Sequence, residues 1–88
     1  MSEDDLKQLQ IWIDRAILRM EEAGENFADE KLFRSVRHQL DYLFRITRRE
    51  PTPAERKRYA LELTARRLEE VDSELAHLFA RISNYLDF

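Results

Sequence analysis

Few residues of this chain have the type and spacing that metal binding requires. Glu74 and His77 lie three positions apart, the spacing with which di-iron helical bundles present two metal ligands on one helix face. Such a centre needs a second pair of this kind and further inward glutamates, and His38 is the only other histidine. We therefore interpret both histidines as surface or half-buried side chains, and we expect no metal site.

Nucleophilic catalysis has no stronger basis in the sequence. Its serines have no histidine in a suggestive relation, and its acidic residues are too numerous to identify a catalytic pair. Gly24 is the only glycine, so there is no glycine-rich loop to hold phosphate, and the absence of cysteine removes disulfides and thiolate ligands. The sequence predicts a chain that is not an enzyme and uses no cofactor.

The elements that must position the polar side chains are helices. Eighty-eight residues suit one domain, and a single glycine with two prolines argues against the turns of a β-protein. Abundant leucine, arginine, glutamate and alanine favour helix. We predict an all-α fold, a small antiparallel bundle of three long helices in a single domain spanning residues 1–88.

The first predicted helix follows Ser2, which can cap it, with Asp5 as a weak partner for a capping box. Its apolar residues recur every three or four positions, at Leu6, Leu9, Ile13, Ala16 and Met20. We expect it to end near Gly24, with this glycine in the left-handed conformation common at helix C-termini.

The second predicted helix begins between Asn26 and Asp29. Its apolar seam consists of Phe33, Val36, Leu40, Leu43 and Thr47, widened by Leu32 and Phe44. Arg48 and Arg49 are expected in its last turn, where cations suit the negative end of the helix dipole, and Pro51 should end it.

The third apolar series is the longest and runs from Thr52 to Tyr85. Thr52-Pro53-Ala54-Glu55 is typical of a helix start, with a capping box between Thr52 and Glu55. The seam comprises Leu61, Thr64, Leu68, Val71, Leu75, Leu78, Ile82 and Tyr85. A continuous helix would span roughly 50 Å and overhang its partners. Alternatively, the helix breaks near Asp72-Ser73, and a short fourth helix folds back.

The choice between these two arrangements depends on the apolar residues near the end of the chain. The unbroken seam favours one continuous helix. A small monomer, however, must cover Leu78, Phe79, Ile82, Leu86 and Phe88, which favours the break.

Antiparallel packing would gather acidic residues at one end of the bundle and basic residues at the other. The acidic residues form a group that we call the acidic pole, which consists of Glu21, Glu22, Glu25, Asp29, Glu30, Glu69, Glu70, Asp72 and Glu74. The basic pole consists of Arg45, Arg48, Arg49, Arg56, Lys57 and Arg58. Single charges of this kind are usually solvated or paired within a helix, but segregated charge commonly steers a protein partner.

Several apolar side chains fall outside the predicted seams. A heptad assignment leaves Ile11, Tyr42, Tyr59 and Leu63 facing outward, with Trp12 on a flank. Several such residues on so small a chain indicate either a protein contact or cover by the third or fourth helix.

Composition also bears on membranes and nucleic acid. The sequence opens with acidic and polar residues, unlike a signal peptide, and no apolar run has the length of a membrane span. We expect a cytoplasmic protein without a membrane partner. The net charge of −3 and the lack of a reading motif also predict no nucleic-acid partner.

Three segments resemble the small helical immunity proteins that neutralise NAD-degrading toxin effectors of bacterial type VI secretion systems. They are Ile13-Asp14-Arg15-Ala16 after the aromatic Trp12, Glu30-Lys31 leading to Gln39-Leu40-Asp41-Tyr42, and Glu70-Val71-Asp72-Ser73-Glu74-Leu75. They occur in this order and span most of the chain. The Arg-rich turn and the long third seam are peculiar to this chain.

The resemblance implies a protein that binds one toxin domain and covers its active site. A dinucleotide pocket holds pyrophosphate with positive groups, which a carboxylate-rich surface could occupy. The predicted toxin-binding residues are Glu21, Glu22, Asp29, Glu30, Glu69, Glu70 and Asp72. A homodimer of the free protein is a further possibility, and the alternative function is a homo-oligomeric helical scaffold or adaptor that uses the third seam as a coiled coil.

Overall fold

The computed structural model describes residues 2–24, 27 and 29–87, and every regular element in this part of the chain is a helix. The five helices are α1 (Glu3–Ala23), α2 (Glu30–Ile46), α3 (Pro53–Arg56), α4 (Leu61–Leu68) and α5 (Ser73–Leu86). None of the described helices combines the length and the apolar character needed to cross a membrane. The predicted all-α bundle is confirmed, and its third segment is divided into three helices.

The first two helices begin where their capping residues predict. The Ser2 hydroxyl accepts a hydrogen bond from the Asp5 backbone N–H at 3.1 Å. An Asp29 carboxylate oxygen accepts one from the Leu32 backbone N–H at 3.0 Å. Each side chain therefore satisfies a backbone donor that the first turn of a helix leaves without a partner.

The third segment opens with the predicted capping box. The Thr52 backbone N–H donates to the Glu55 carboxylate at 2.9 Å, and the Glu55 N–H donates to the Thr52 hydroxyl at 3.2 Å. Residues 57–60 then leave the helix before α4 begins, an interruption that the seam did not predict. A second interruption precedes Asp72, whose carboxylate caps α5 by accepting from the Leu75 N–H at 3.1 Å. Of the two arrangements that the sequence allows, the structure therefore has the one that breaks near Asp72-Ser73.

Folding α5 back covers the apolar residues that motivated this break. Leu78, Phe79, Ile82 and Leu86 are all buried, and Phe79 is the largest fully buried side chain. Phe88 lies outside the described residues. The assignment of Val71 to the seam is wrong, because this residue lies in the turn at 69–71 and is exposed.

Two details at the helix ends also differ from prediction. Gly24 follows α1 as expected but has φ −49° and ψ −47°, a right-handed conformation. The chain therefore continues the helical sense at this point and does not need a left-handed residue. Arg48 and Arg49 lie beyond α2, which ends at Ile46, and the Thr47 hydroxyl donates to the Leu43 carbonyl at 2.7 Å.

Helix α1 packs against both α2 and α5, and α5 packs against α4. The Gln10 side chain donates to the Thr47 carbonyl, which joins the first half of α1 to the end of α2 and fits their antiparallel course. A buried hydrogen bond of 2.9 Å from the Thr64 hydroxyl to the Gln39 side-chain oxygen joins α4 to α2. The resulting globule is 37 Å along its longest axis and 18–20 Å across.

Candidate functional site

A single cation, Arg19, organises the centre of the acidic pole. Its guanidinium lies 2.9 Å from an Asp72 carboxylate oxygen, 3.2 Å from a Glu74 oxygen and 3.7 Å from a Glu22 oxygen. The pKa of Arg19 is raised above its ordinary value, first by its hydrogen bond to Asp72 and then by the charge of that carboxylate. Acids from α1 and from the start of α5 therefore converge on one α1 side chain.

Among the predicted toxin-binding residues, Asp72 has a structural task. Its side chain is only 7% exposed, caps α5 through one carboxylate oxygen and pairs with Arg19 through the other. This double contact attaches the turn at 69–71 to the end of α1. The carboxylate is thereby occupied within the chain, and it positions the acids on either side of it.

The remaining acids of this region are more accessible. Glu21, Glu69 and Glu70 are exposed and have no ion pair within the described residues. Glu22 is also exposed, although it shares Arg19. Glu25 lies outside the described residues. Unpaired, exposed carboxylates next to an ordered turn are available to a cationic partner.

Asp29 and Glu30 make their contacts within α2. Asp29 caps that helix, and Glu30 lies 3.1 Å from the Arg34 guanidinium on the next turn. In the part of the chain that the structure describes, neither forms a hydrogen bond or ion pair with the acids of α1 or of the α4–α5 turn. Arg19 therefore joins Glu22, Asp72 and Glu74, whereas the polar contacts of Asp29 and Glu30 are within the first turns of α2.

Two exposed apolar side chains accompany the acids. Leu18 is 56% exposed and precedes Glu21 and Glu22 by one helical turn, whereas Val71 is 40% exposed and directly follows Glu70. The sequence analysis missed Leu18. Leu18 lies halfway between Ala16 and Met20, which are buried positions of the seam. Its helical position therefore places it away from the core and on the side of Glu21 and Glu22.

The other apolar residues expected outside the seams divide into two groups. Ile11 and Leu63 are exposed. Tyr42 and Tyr59 are instead partly buried, with ring centroids 5.3 Å apart in an edge-to-face contact that packs against the core. Of the two interpretations left open for these residues, cover by the third segment applies to both tyrosines, because the interruption at 57–60 brings Tyr59 against Tyr42 of α2.

Most cations of the basic pole are held by rings or acids. The Arg48 guanidinium lies 3.9 Å from the Phe44 ring centroid, and the Arg58 guanidinium lies 5.1 Å from that of Tyr42. Further ion pairs join Arg49 to Glu55 at 3.8 Å and Arg56 to Glu50 at 3.7 Å. These contacts restrain the positive side chains.

The residues first considered as metal ligands make other contacts. Glu74 pairs with Arg19, and the His77 Nε2 atom accepts from the Arg81 Nε at 3.3 Å. The His38 ring lies edge-to-face with Tyr59, with 6.2 Å between the ring centroids. Within the described ranges, no three histidine or acidic side chains come together as metal ligands. No protein-family model, curated protein or solved structure matches the chain.

Proposed function

We propose that this protein is an immunity protein that binds a bacterial toxin domain and blocks its active site. The toxin is an NAD-degrading enzyme delivered by type VI secretion, and neutralising it in the cytoplasm protects the producing cell and its kin. The sequence resemblance supports this particular role. The observation that carries the binding part of the proposal is the acidic pole, where unpaired glutamates surround exposed apolar side chains.

The composition of this surface favours binding to protein. Leu18 and Val71 offer apolar area, and Glu21, Glu69 and Glu70 supply charge around it. Protein interfaces typically combine a desolvated apolar centre with a polar rim, and the rim charges raise the association rate by steering. Asp72 and Arg19 contribute by holding the two chain segments together.

The same surface suits a site built for a dinucleotide. Such a site needs positive groups for the pyrophosphate, and exposed carboxylates could pair with those groups when the nucleotide is absent. Occupying the pocket in this way would exclude the substrate. The proposal therefore requires no catalytic group on the immunity protein.

The alternative function, a homo-oligomeric scaffold, was based on a long coiled-coil seam. In the structure, residues 57–60 and 69–72 interrupt the helix that would carry that seam. Helix α5 folds back on the chain, and its apolar face is buried there. A continuous helix available to a second copy is therefore not present within the described residues. The immunity proposal does not depend on such a helix.

The first test is co-expression with the protein encoded by the adjacent gene. We expect the two proteins to copurify at a fixed stoichiometry, and we expect cellular NAD to fall with the neighbour alone and to recover when both are present. A stable complex without any effect on NAD would contradict the proposed toxin chemistry. Absence of a complex would contradict the function as a whole.

The second test reverses charge at the acidic pole. Glu69→Lys with Glu70→Lys should weaken toxin binding at least about 10-fold and reduce its salt dependence, because steering and rim pairs are lost. The matched control is Asp14→Lys with Asp41→Lys, which makes the same change of charge at exposed positions on α1 and α2. Equal effects of the two variants would show that net charge matters and the pole does not.

A further inference from the structure

Helices α1 and α5 leave a surface groove between them that adjoins the acidic pole. Its volume is about 380 Å³, and Trp12, Leu18 and Leu78 form its apolar lining. Its polar lining consists of Arg15, Arg19, Glu22, Glu74 and His77, and Arg19 pairs with both of these glutamates. The groove therefore offers apolar surface together with charges of both signs.

Two guanidinium groups lie close to the single tryptophan of the chain. The Arg15 and Arg81 guanidinium carbons are 5.1 and 5.2 Å from the centroid of the Trp12 ring. Neither arginine forms an ion pair with a described carboxylate, and the Arg81 Nε donates to the His77 Nε2. Like charges near one ring repel each other, and a bound anion would offset this repulsion.

Trp12 itself is not explained by packing alone. Its ring is half-buried against the core, but the buried indole N–H finds no hydrogen-bond acceptor within the described residues. Phenylalanine would fill much of the space without leaving a buried donor unpaired. Tryptophan is, however, the best ring for holding cations, and it is enriched where proteins bind one another.

We propose that this groove binds a segment of the partner protein that carries a carboxylate beside a large apolar side chain. The apolar side chain packs on Trp12, Leu18 and Leu78, and the carboxylate pairs with Arg15 in the groove lining. The same carboxylate reaches Arg81, which lies outside that lining but beside the Trp12 ring. The inference rests on the proposed function, since the partner is the toxin. A nucleic acid is a poorer occupant because its run of phosphates would meet Glu22 and Glu74, whereas a single carboxylate can remain beside Arg15.

The groove and the acidic pole together require a partner surface with both signs of charge. Basic groups of the toxin pair with Glu69 and Glu70, and an acidic segment of the same toxin enters the groove. Complementary charges of opposite sign at two places fix the orientation of a complex, which a uniform charge cannot do. The two contacts would therefore fix the orientation of the toxin at the end of α1.

The test uses the complex of the full chain with the toxin. Replacing Trp12 by 5-fluorotryptophan gives a single ¹⁹F resonance that tryptophans of the toxin cannot obscure. We expect the chemical shift of this resonance to change when the toxin binds. We also expect the chemical shift to stop responding to a change of solvent, because the ring is then covered. Arg15→Gln and Arg81→Gln should each weaken binding about 10-fold, because each removes a charge-assisted hydrogen bond.

The control is Arg45→Gln, which removes an exposed arginine from α2 and should leave affinity unchanged. Arg15→Lys keeps the positive charge but lacks the planar guanidinium group with its paired donors. Its affinity for the toxin should lie between those of Arg15→Gln and the natural chain. Circular dichroism of each variant establishes that it folds.

A complex with an unchanged ¹⁹F resonance and natural affinity in both glutamine variants would overturn the groove proposal and leave the immunity function intact. A salt-sensitive shift on adding a single-stranded oligonucleotide would overturn the choice of a protein occupant. Failure of the natural chain to bind the toxin at all would overturn both proposals.

Discussion

At the acidic pole one arginine, Arg19, is shared by three carboxylates, whereas at the basic pole the cations lie against aromatic rings or pair with single acids. The acidic arrangement joins distant parts of the chain, since Arg19 and Asp72 are 53 residues apart. The ion pairs of the basic arrangement within the described residues are local, and Arg49 and Arg56 each pair with an acid six residues away.

This difference separates acids that hold the fold from acids that can bind a partner. A carboxylate that is buried and doubly bonded, such as Asp72, cannot leave its contacts without destabilising the chain. Glu69 and Glu70 on the adjoining turn are exposed, and no such pair of contacts holds them within the described residues. At the basic pole, ion pairs to Glu55 and Glu50 occupy Arg49 and Arg56 within the chain.

The largest expected effect on stability comes from removing the carboxylate that joins the two segments. Asp72→Ala should lower the free energy of unfolding by about 2 kcal/mol, because it loses both a helix N-cap and a charge-assisted hydrogen bond. Asp29→Ala is the matched control, since Asp29 also caps a helix but has no cationic partner. It should cost about 1 kcal/mol in urea denaturation followed by circular dichroism. Equal losses would show that Arg19 adds nothing.

The next prediction compares two leucines of almost equal exposure. Leu18 beside the acidic pole is 56% exposed, and Leu63 on α4 is 57% exposed. If the proposed toxin is the partner, Leu18→Ala should weaken binding to it about 10-fold, and Leu63→Ala should change this binding less than about 2-fold. Isothermal titration would measure both affinities. A larger effect of Leu63 would move the interface to α4.

A smaller effect is expected where α1 approaches the acidic pole. Gly24 has a negative φ, and a Cβ added there would lie 3.7 Å from the Phe33 ring, an ordinary van der Waals distance. Gly24→Ala should therefore raise the free energy of unfolding by about 0.5–1 kcal/mol, by restricting the unfolded chain. Thermal unfolding measures the change. A destabilised variant would indicate that the glycine needs a left-handed conformation after all.

The smallest effect concerns Glu55 near the basic pole and appears only in acid. Its pKa is lowered, first because its carboxylate accepts from the Thr52 backbone N–H. A lowered folded-state pKa contributes stability above the unfolded value, and this contribution is lost as the pH falls below about 4.3 and through the folded value. Glu55→Gln keeps a side-chain acceptor for the capping box but should lack this part of the pH dependence. Denaturation at pH 3 and pH 7 compares the two proteins, and identical pH profiles would contradict the assignment.

Local sequence signals identified much of the fold correctly. Ser2, Asp29, Thr52 and Asp72 all cap helices, and each has a side chain that competes for a backbone N–H wherever the chain leaves it free. The seam of α1 is also confirmed in its buried part, from Leu9 to Met20. Such features depend on residues within one or two turns, so the sequence is enough to place them.

The features that failed depend on distant residues. No glycine or proline marks the interruption at 57–60, where Tyr59 turns to pack on Tyr42 of α2. The seam of the third segment continues through both interruptions, so periodicity alone does not reveal that Val71 is exposed. The three-residue spacing of Arg19 and Glu22 predicts their ion pair, but nothing in the sequence predicts the pair of Arg19 with Asp72.

The same limit applies to the candidate site. Sequence reasoning found the acids because antiparallel helices bring their ends together, but it could not separate the occupied Asp72 from the available Glu69 and Glu70. It placed Trp12 on a flank without showing that two arginines flank its ring. Those distinctions arise from the packing of α5 on α1.

The packing of α1 on α5 also has a consequence for how the chain acquires its structure. Part of the cover for α1 comes from α5, which begins fifty residues after α1 ends, so this contact has a high contact order. During translation, α1 and α2 would leave the ribosome with an incomplete core and await the α4–α5 hairpin. We expect docking of that hairpin to limit the folding rate, and the incomplete nascent chain to be the species most in need of a chaperone.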